Sequence, residues 1–168
     1  TVASEVIATA PSNYYLTLIL DKGAREGISR NMVVVNEDGT IGRVLQVALH
    51  SSKVLLIADQ RSAVSVMLER TQSRAILEGM GSGLCKLVME DQQVKINKGD
   101  RIVTSGLGGV FPKGLFVGVI DEIKRDPRSG WATSIIVRPA ADNYSIQEAL
   151  IIVNPVVPPV DTKALEEK

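Results

Sequence analysis

The sequence is poor in the side chains that carry most enzyme chemistry: it has one cysteine and one histidine in 168 residues. The lone Cys85 excludes an intrachain disulfide, and His50 and Cys85 together offer no zinc-type ligand spacing. Aromatic residues make up only 4%, too few for base-stacking platforms or aromatic sugar sites. Net charge is also missing, with 19 Lys+Arg against 19 Asp+Glu. That balance argues against broad attraction to nucleic acid or to an anionic membrane surface. No run approaches the roughly 18 apolar residues of a membrane span, and no signal-peptide pattern is visible. The chain opens TVASEV without Met. It is expected to be an excised fragment, with any membrane anchor upstream.

What is present is apolar content of 45%, arranged in short runs of period two. In NYYLTLILD, Tyr14, Leu16, Leu18 and Leu20 share one face, as in a half-buried strand. MVVVNEDGTIGRVLQVAL carries an Asp38-Gly39 turn between two apolar runs, with Ile41, Leu45, Val47 and Leu49 expected in register. Asp-Gly in that setting is a strong hairpin signal. KVLLIA and AVSVMLE follow, separated by the polar turn DQRS. RAILEG, LCKLVME, DRIVTS, GLFVGVIDEI, ATSIIVRP and EALIIV continue the series. RDPRSG is a turn in which Pro127 fixes φ and Gly130 permits a positive one. Only DTKAL and ALEEK, in the tail, read as helical. About ten or more short strands, punctuated roughly every 8–12 residues, predict an all-β barrel or sandwich.

Two stretches share an order of features. KGAREGISRNMVVVNEDGTIGRVLQV (22–47) and KGDRIVTSGLGGVFPKGLFVGVIDEI (98–123) each run Lys-Gly, β-rich run, glycine turn, glycine-interrupted strand. They suggest two related β-units joined near residues 70–80, with convergent hairpin chemistry as the alternative. The expected organisation is a first lobe over 1–75, a second over 76–153 and a Pro-rich, charged, flexible tail over 154–168. Strand 148–153 is a candidate to pair back into the first lobe. Pro155 and Pro158 have P-x-x-P spacing, a common and weak pattern for a polyproline ligand.

The glycine clusters GMGSG (79–83) and GLGG (106–109) are not followed by Lys-Ser/Thr, and strands rather than helices follow them. That excludes a phosphate-cradling loop of the usual kind. A double-barrel serine protease is the sharper competitor, because His50, Asp91 or Asp100, and Ser105 occur in that order. However, Val103 stands where the oxyanion loop of such enzymes needs glycine, so no catalytic residue is assigned. No metal or cofactor site is assigned either.

APSNYYLTLILDKGAREGI, SSKVLLIADQRSAVSVMLER and TSGLGGVFPKGLFVGVI resemble, in this order, the extracytoplasmic domain of the MreC family of rod-shape-determining proteins. The resemblance implies a two-lobed double β-barrel, related in architecture to chymotrypsin-like proteases but lacking their triad. It implies a non-catalytic periplasmic scaffold, held to the bacterial inner membrane by a helix outside this sequence. Implied partners are the chain itself, the elongation transpeptidase (a class B penicillin-binding protein), and the MreD, RodA, RodZ and MreB system. No nucleic-acid partner is implied. In TSGLGGVFPKGLFVGVI, Gly106, Gly108, Gly109 and Gly114 are expected to give backbone freedom at a barrel corner. Phe111 and Pro112 are expected to launch the strand, with Leu115, Val117 and Val119 on one face. Gly118 is expected to mark the close approach of a neighbour. Phe111, Pro112 and Lys113 form the candidate interaction surface.

Overall fold

In a computed structural model, the structure describes residues 1–11 and 16–153. Tyr14 and the tail 154–168, with its P-x-x-P spacing and helical expectation, lie outside the described residues. Among the described residues there is no α-helix, and the one helical element is a 3-10 turn at Ala24–Glu26. Twelve strands are formed: β1 (Val2–Pro11), β2 (Leu16–Leu20), β3 (Val33–Val35), β4 (Thr40–Val47), β5 (Ser52–Leu56), β6 (Ala63–Leu68), β7 (Arg74–Gly79), β8 (Cys85–Met89), β9 (Arg101–Thr104), β10 (Phe116–Arg125), β11 (Ala132–Pro139) and β12 (Glu148–Ile152). They close into two barrels of six, in the orders β1-β12-β3-β4-β5-β2 and β10-β11-β8-β7-β6-β9. All the pairings are antiparallel. The all-β, double-barrel expectation is met.

Period-two patterning fills the barrels. In β7, Ala75 and Leu77 point inward and are buried, while Arg74, Ile76 and Glu78 face out. Leu18, Leu20, Val33, Val54 and Ile151 pack the first barrel. Val66, Leu68, Leu77, Ile102 and Val137 pack the second. Burying each such side chain is worth about 1.5–3 kcal/mol, so the barrels need no covalent staple.

The two strand orders are the same circuit. Advancing every strand of the first barrel by six places reproduces the second, with β12 mapping onto β6. Each half of the chain therefore builds five strands of its own barrel and lends its sixth to the other. Register confirms the equivalence. Gly42 lies opposite Val34 and Leu56, and Gly118 lies opposite Ile102 and Pro139. Bulges fall at matching places, between Val44 and Gln46 and between Ile120 and Glu122. The two stretches noted in the sequence, 22–47 and 98–123, are thus structural counterparts.

Several expectations need correction. Residues 75 and 76 do not divide the lobes, because both lie inside β7 of the second barrel. The chain crosses earlier, through Ile57–Ser62, and β6 already belongs to the second barrel. The polar turn DQRS lies in this crossover, and β12 makes the return passage into the first barrel. The faces of β4 and β10 also differ from simple alternation. Ile41 and Val44 are buried, with Leu49 exposed, and Val117 and Ile120 are buried, with Val119 only partly so. The cause is one extra residue in each strand, opposite Val34–Val35 in β4 and Ile102–Val103 in β10, which shifts the phase.

Candidate functional site

The loop between β9 and β10 is organised around Thr104. Its N–H donates to the Leu115 carbonyl at 2.9 Å, and its carbonyl accepts from the Gly114 N–H at 2.9 Å. Its hydroxyl donates to the Pro112 carbonyl and accepts the Leu115 N–H at 2.9 Å. Thr104 is fully buried, so this network ties a long loop to the barrel wall. Gly106, Gly108, Gly109 and Gly114 all sit at positive φ, between 76° and 93°. Phe111 is buried at 8% exposure and packs into the core, while Pro112 and Lys113 are exposed. Phe111 is thus an internal anchor, which removes it from the expected contact surface. Nothing lies within 4 Å of a side-chain carbon added at Gly109, and only Ser65 Oγ, at 3.9 Å, meets one added at Gly108. Valine at either position therefore pays only backbone strain. Gly108→Val and Gly109→Val are each expected to cost about 1–3 kcal/mol in thermal denaturation, and an unchanged melting temperature would show that the loop relaxes freely.

Gly118 is different. It is buried in β10, and a side-chain carbon there would lie 2.3 Å from the Arg138 carbonyl oxygen of β11. The other glycine cluster, 79–83, forms the turn between β7 and β8, with Gly81 and Gly83 at positive φ and no helix after it.

The residues of the protease alternative are not brought together. His50 sits in the β4–β5 turn of the first barrel, its Nδ1 3.3 Å from Glu26 Oε1. The Gly23 N–H, and after it the His50 ring, hold Glu26 below the usual carboxylate range. Asp100 and Ser105 flank opposite ends of β9, about 16 Å apart at the strand rise. Asp100 pairs with Arg70 at 3.0 Å and accepts the Asn97 N–H at 2.8 Å. Burial pushes its pKa up, but those partners outweigh it and hold it low. Asp91 closes a local turn by accepting the Gln93 N–H, and Ser105 Oγ accepts from the Leu107 N–H. Among the described residues, the side-chain bond of Ser105 Oγ is the one from the Leu107 N–H, with no base beside it. A fluorophosphonate probe is expected to leave Ser105 unlabelled, and stoichiometric labelling lost in Ser105→Ala would restore the protease reading. Burial pushes the Cys85 thiol up to about 12, so it stays protonated and unreactive at neutral pH.

The feature that sequence reading missed is the crossover itself. Asp59 has no exposed surface and accepts from the Leu16 N–H at 2.7 Å, the Arg61 N–H at 2.8 Å, Arg61 Nε at 3.1 Å and Arg61 Nη2 at 3.0 Å. Leu16 opens β2 of the first barrel, so one carboxylate fastens the crossover to that barrel. The second barrel grips the same segment: the Gly81 N–H donates to the Ala58 carbonyl and the Gly79 N–H to the Ser62 carbonyl. The return crossover repeats the turn. Asp142 accepts the Tyr144 N–H, and the Ser145 N–H donates to the Asp142 carbonyl. The signal was available as Ala58-Asp59-x-x-Ser62 and Ala141-Asp142-x-x-Ser145.

Two closed barrels that share strands through paired crossovers define the chain as a double-barrel β-domain. The chain belongs to the MreC family: the family model described as rod shape-determining protein MreC, barrel core, matches residues 6–153. It is 30% identical over 154 residues to the cell shape-determining protein MreC of Listeria monocytogenes, covering 89% of this chain and 52% of that protein. The chain thus spans about half the length of this relative. The crystal structure of MreC from Pseudomonas aeruginosa superposes with a TM-score of 0.82 at 29% identity, over 90% of this chain and 98% of that one. MreC from Helicobacter pylori, solved in complex with a penicillin-binding protein (PBP2), shares the fold at a TM-score of 0.61 and 20% identity, over 89% of this chain and 98% of the matched chain.

Proposed function

We propose that this chain is the periplasmic barrel core of a non-catalytic scaffold in cell elongation. It binds and activates the elongation transpeptidase, a class B penicillin-binding protein, and associates with itself, thereby organising lateral peptidoglycan synthesis. The observation that carries the reading is the family match, which runs through both barrels from residue 6 to residue 153. The complex of the Helicobacter pylori relative with its penicillin-binding protein supports the choice of partner. The separation of His50, Asp100 and Ser105 favours a role played by surface rather than by chemistry.

The test is titration of this chain against the purified ectodomain of the class B penicillin-binding protein from the same organism. Saturable binding is expected, and none at about 100 µM, a limit near −5.5 kcal/mol, would overturn the partnership. Self-association is expected in the micromolar range or weaker, about −8 kcal/mol at best. Sedimentation velocity over a hundredfold range of concentration checks it, and a strictly monomeric boundary throughout would refute it.

A further inference from the structure

The internal repeat exposes one place where the barrels differ. In the first barrel, β2 and β5 are zipped through Thr17↔Leu55, Leu18↔Val54, Ile19↔Lys53 and Leu20↔Ser52. Their counterparts β8 and β11 make only Cys85↔Val137 and Lys86↔Ile136. The next pair, Leu87 with Ile135, which would match Leu20 with Ser52, is not made. From that point Leu87–Met89 has ladder partners only in β7, and Ala132–Ile135 only in β10. A slot of about 630 Å³ opens between the two edges, within the range of about 300–1,000 Å³ typical of ligand clefts.

The slot has a definite chemistry. Val94 and the buried Ile96 line it, while Val88 and Trp131 stand beside it at 43% and 49% exposure. Its charged lining residues are all cations: Lys86, Lys95 and Arg125. The Arg125 guanidinium is committed to the carbonyls of Gly130 and Ile96. The Lys86 and Lys95 ammonium groups form no ion pair among the described residues, although Glu78 stands opposite Lys86 in β7.

We propose that this slot binds an extended segment of a partner protein, added as a β-strand, in which acidic and apolar residues alternate. Open strand edges offer backbone N–H and C=O groups to an incoming strand. Period-two alternation then turns the apolar side chains toward Val94 and Ile96 and the carboxylates toward Lys86 and Lys95. At the level of whole strands, every described strand of a second copy already has a neighbour on each side, which leaves no free described strand for it to add. The inference stands apart from the transpeptidase reading, and its test uses peptides alone.

Trp131 is the only tryptophan in the chain and reports directly on the slot. The probe is a capped peptide of alternating Glu and Val, compared with a Lys–Val peptide and with polyglutamate. The Glu–Val peptide is expected to shift Trp131 fluorescence saturably and to slow amide exchange in Leu87–Met89 and Ala132–Ile135. Lys86→Gln combined with Lys95→Glu is expected to weaken binding by about tenfold or more, roughly 1.4 kcal/mol, without lowering the melting temperature. An absent response, equal responses to the Lys–Val peptide or polyglutamate, or unchanged binding by the double variant would each overturn the proposal. So would loss of self-association in that variant without any peptide binding, which would make a second copy the occupant.

Discussion

Gly42→Ala and Gly118→Ala are expected to unfold their barrels or to cost about 4 kcal/mol or more each, well above the loop glycines. The reason is collision rather than dihedral strain. An added carbon at Gly42 would lie 1.9 Å from the Leu55 carbonyl oxygen and 2.9 Å from the Leu55 carbonyl carbon. At Gly118 the Arg138 carbonyl oxygen is 2.3 Å away. In both cases the obstacle is backbone of the adjacent strand, which cannot rotate aside as a side chain can. Relief requires pushing β5 from β4, or β11 from β10, and so breaking ladder pairs in a closed barrel. Equilibrium urea denaturation of the two variants checks this. A loss below about 1 kcal/mol in both would mean that the barrels breathe enough to admit a methyl group.

Asp59→Ala is expected to cost about 3 kcal/mol, because it leaves the buried Leu16 N–H without its acceptor and opens a cavity at the crossover. Arg61, whose side chain is 44% exposed, retains access to water and adds less. Asp59→Asn, which keeps a carbonyl oxygen for Leu16, should cost less than Asp59→Ala. Equal losses would show that the Leu16 bond is not what matters. The same residue sets a pH dependence. Burial pushes the pKa of Asp59 up, but the Arg61 side chain with the N–H groups of Arg61 and Leu16 outweighs it and holds the carboxyl below its ordinary value. A carboxylate depressed in the folded state contributes fully above the unfolded value of about 3.9, and loses that contribution as pH falls through the folded one. Melting temperature should therefore drop below about pH 4, and drop less steeply in Asp59→Asn. An identical acid limb in parent and variant would place the sensitivity elsewhere, with Asp100 the next group to test.

Most strands were legible because one face of each is buried, which writes a period of two into the sequence. β1 was not. Over Val2–Pro11 it offers Ala3, Ser4, Ala8 and Thr9 as well as apolar residues, and its Ile7 points to solvent at 59% exposure. Its place is fixed by pairing with β2 and β12, which no local pattern records. The strand exchange was half legible. EALIIV closes the series of apolar runs, so its return to the first barrel could be anticipated. β6 follows β5 directly and reads as the second arm of a hairpin. The glycines of the β9–β10 loop were recognisable as turn chemistry, yet Gly42, as tightly packed as Gly118, was hidden inside an ordinary strand. Asp59 was invisible because a polar residue in a turn gives no hint that two barrels close over it.

The pairing of β1 with β12 has a mechanical consequence. Val2 stands opposite Ile151 in antiparallel register, and Glu5 opposite Glu148. Residues 2 and 151 therefore leave the first barrel side by side, at one end of one seam. Tension applied between them would part that seam a pair at a time, as a zipper opens, instead of shearing every pair at once. The second barrel is reached only through the crossovers and lies beyond the point where the seam gives way. Under a pull, the β1–β12 seam is the fuse of the molecule, and the second barrel is the part left whole.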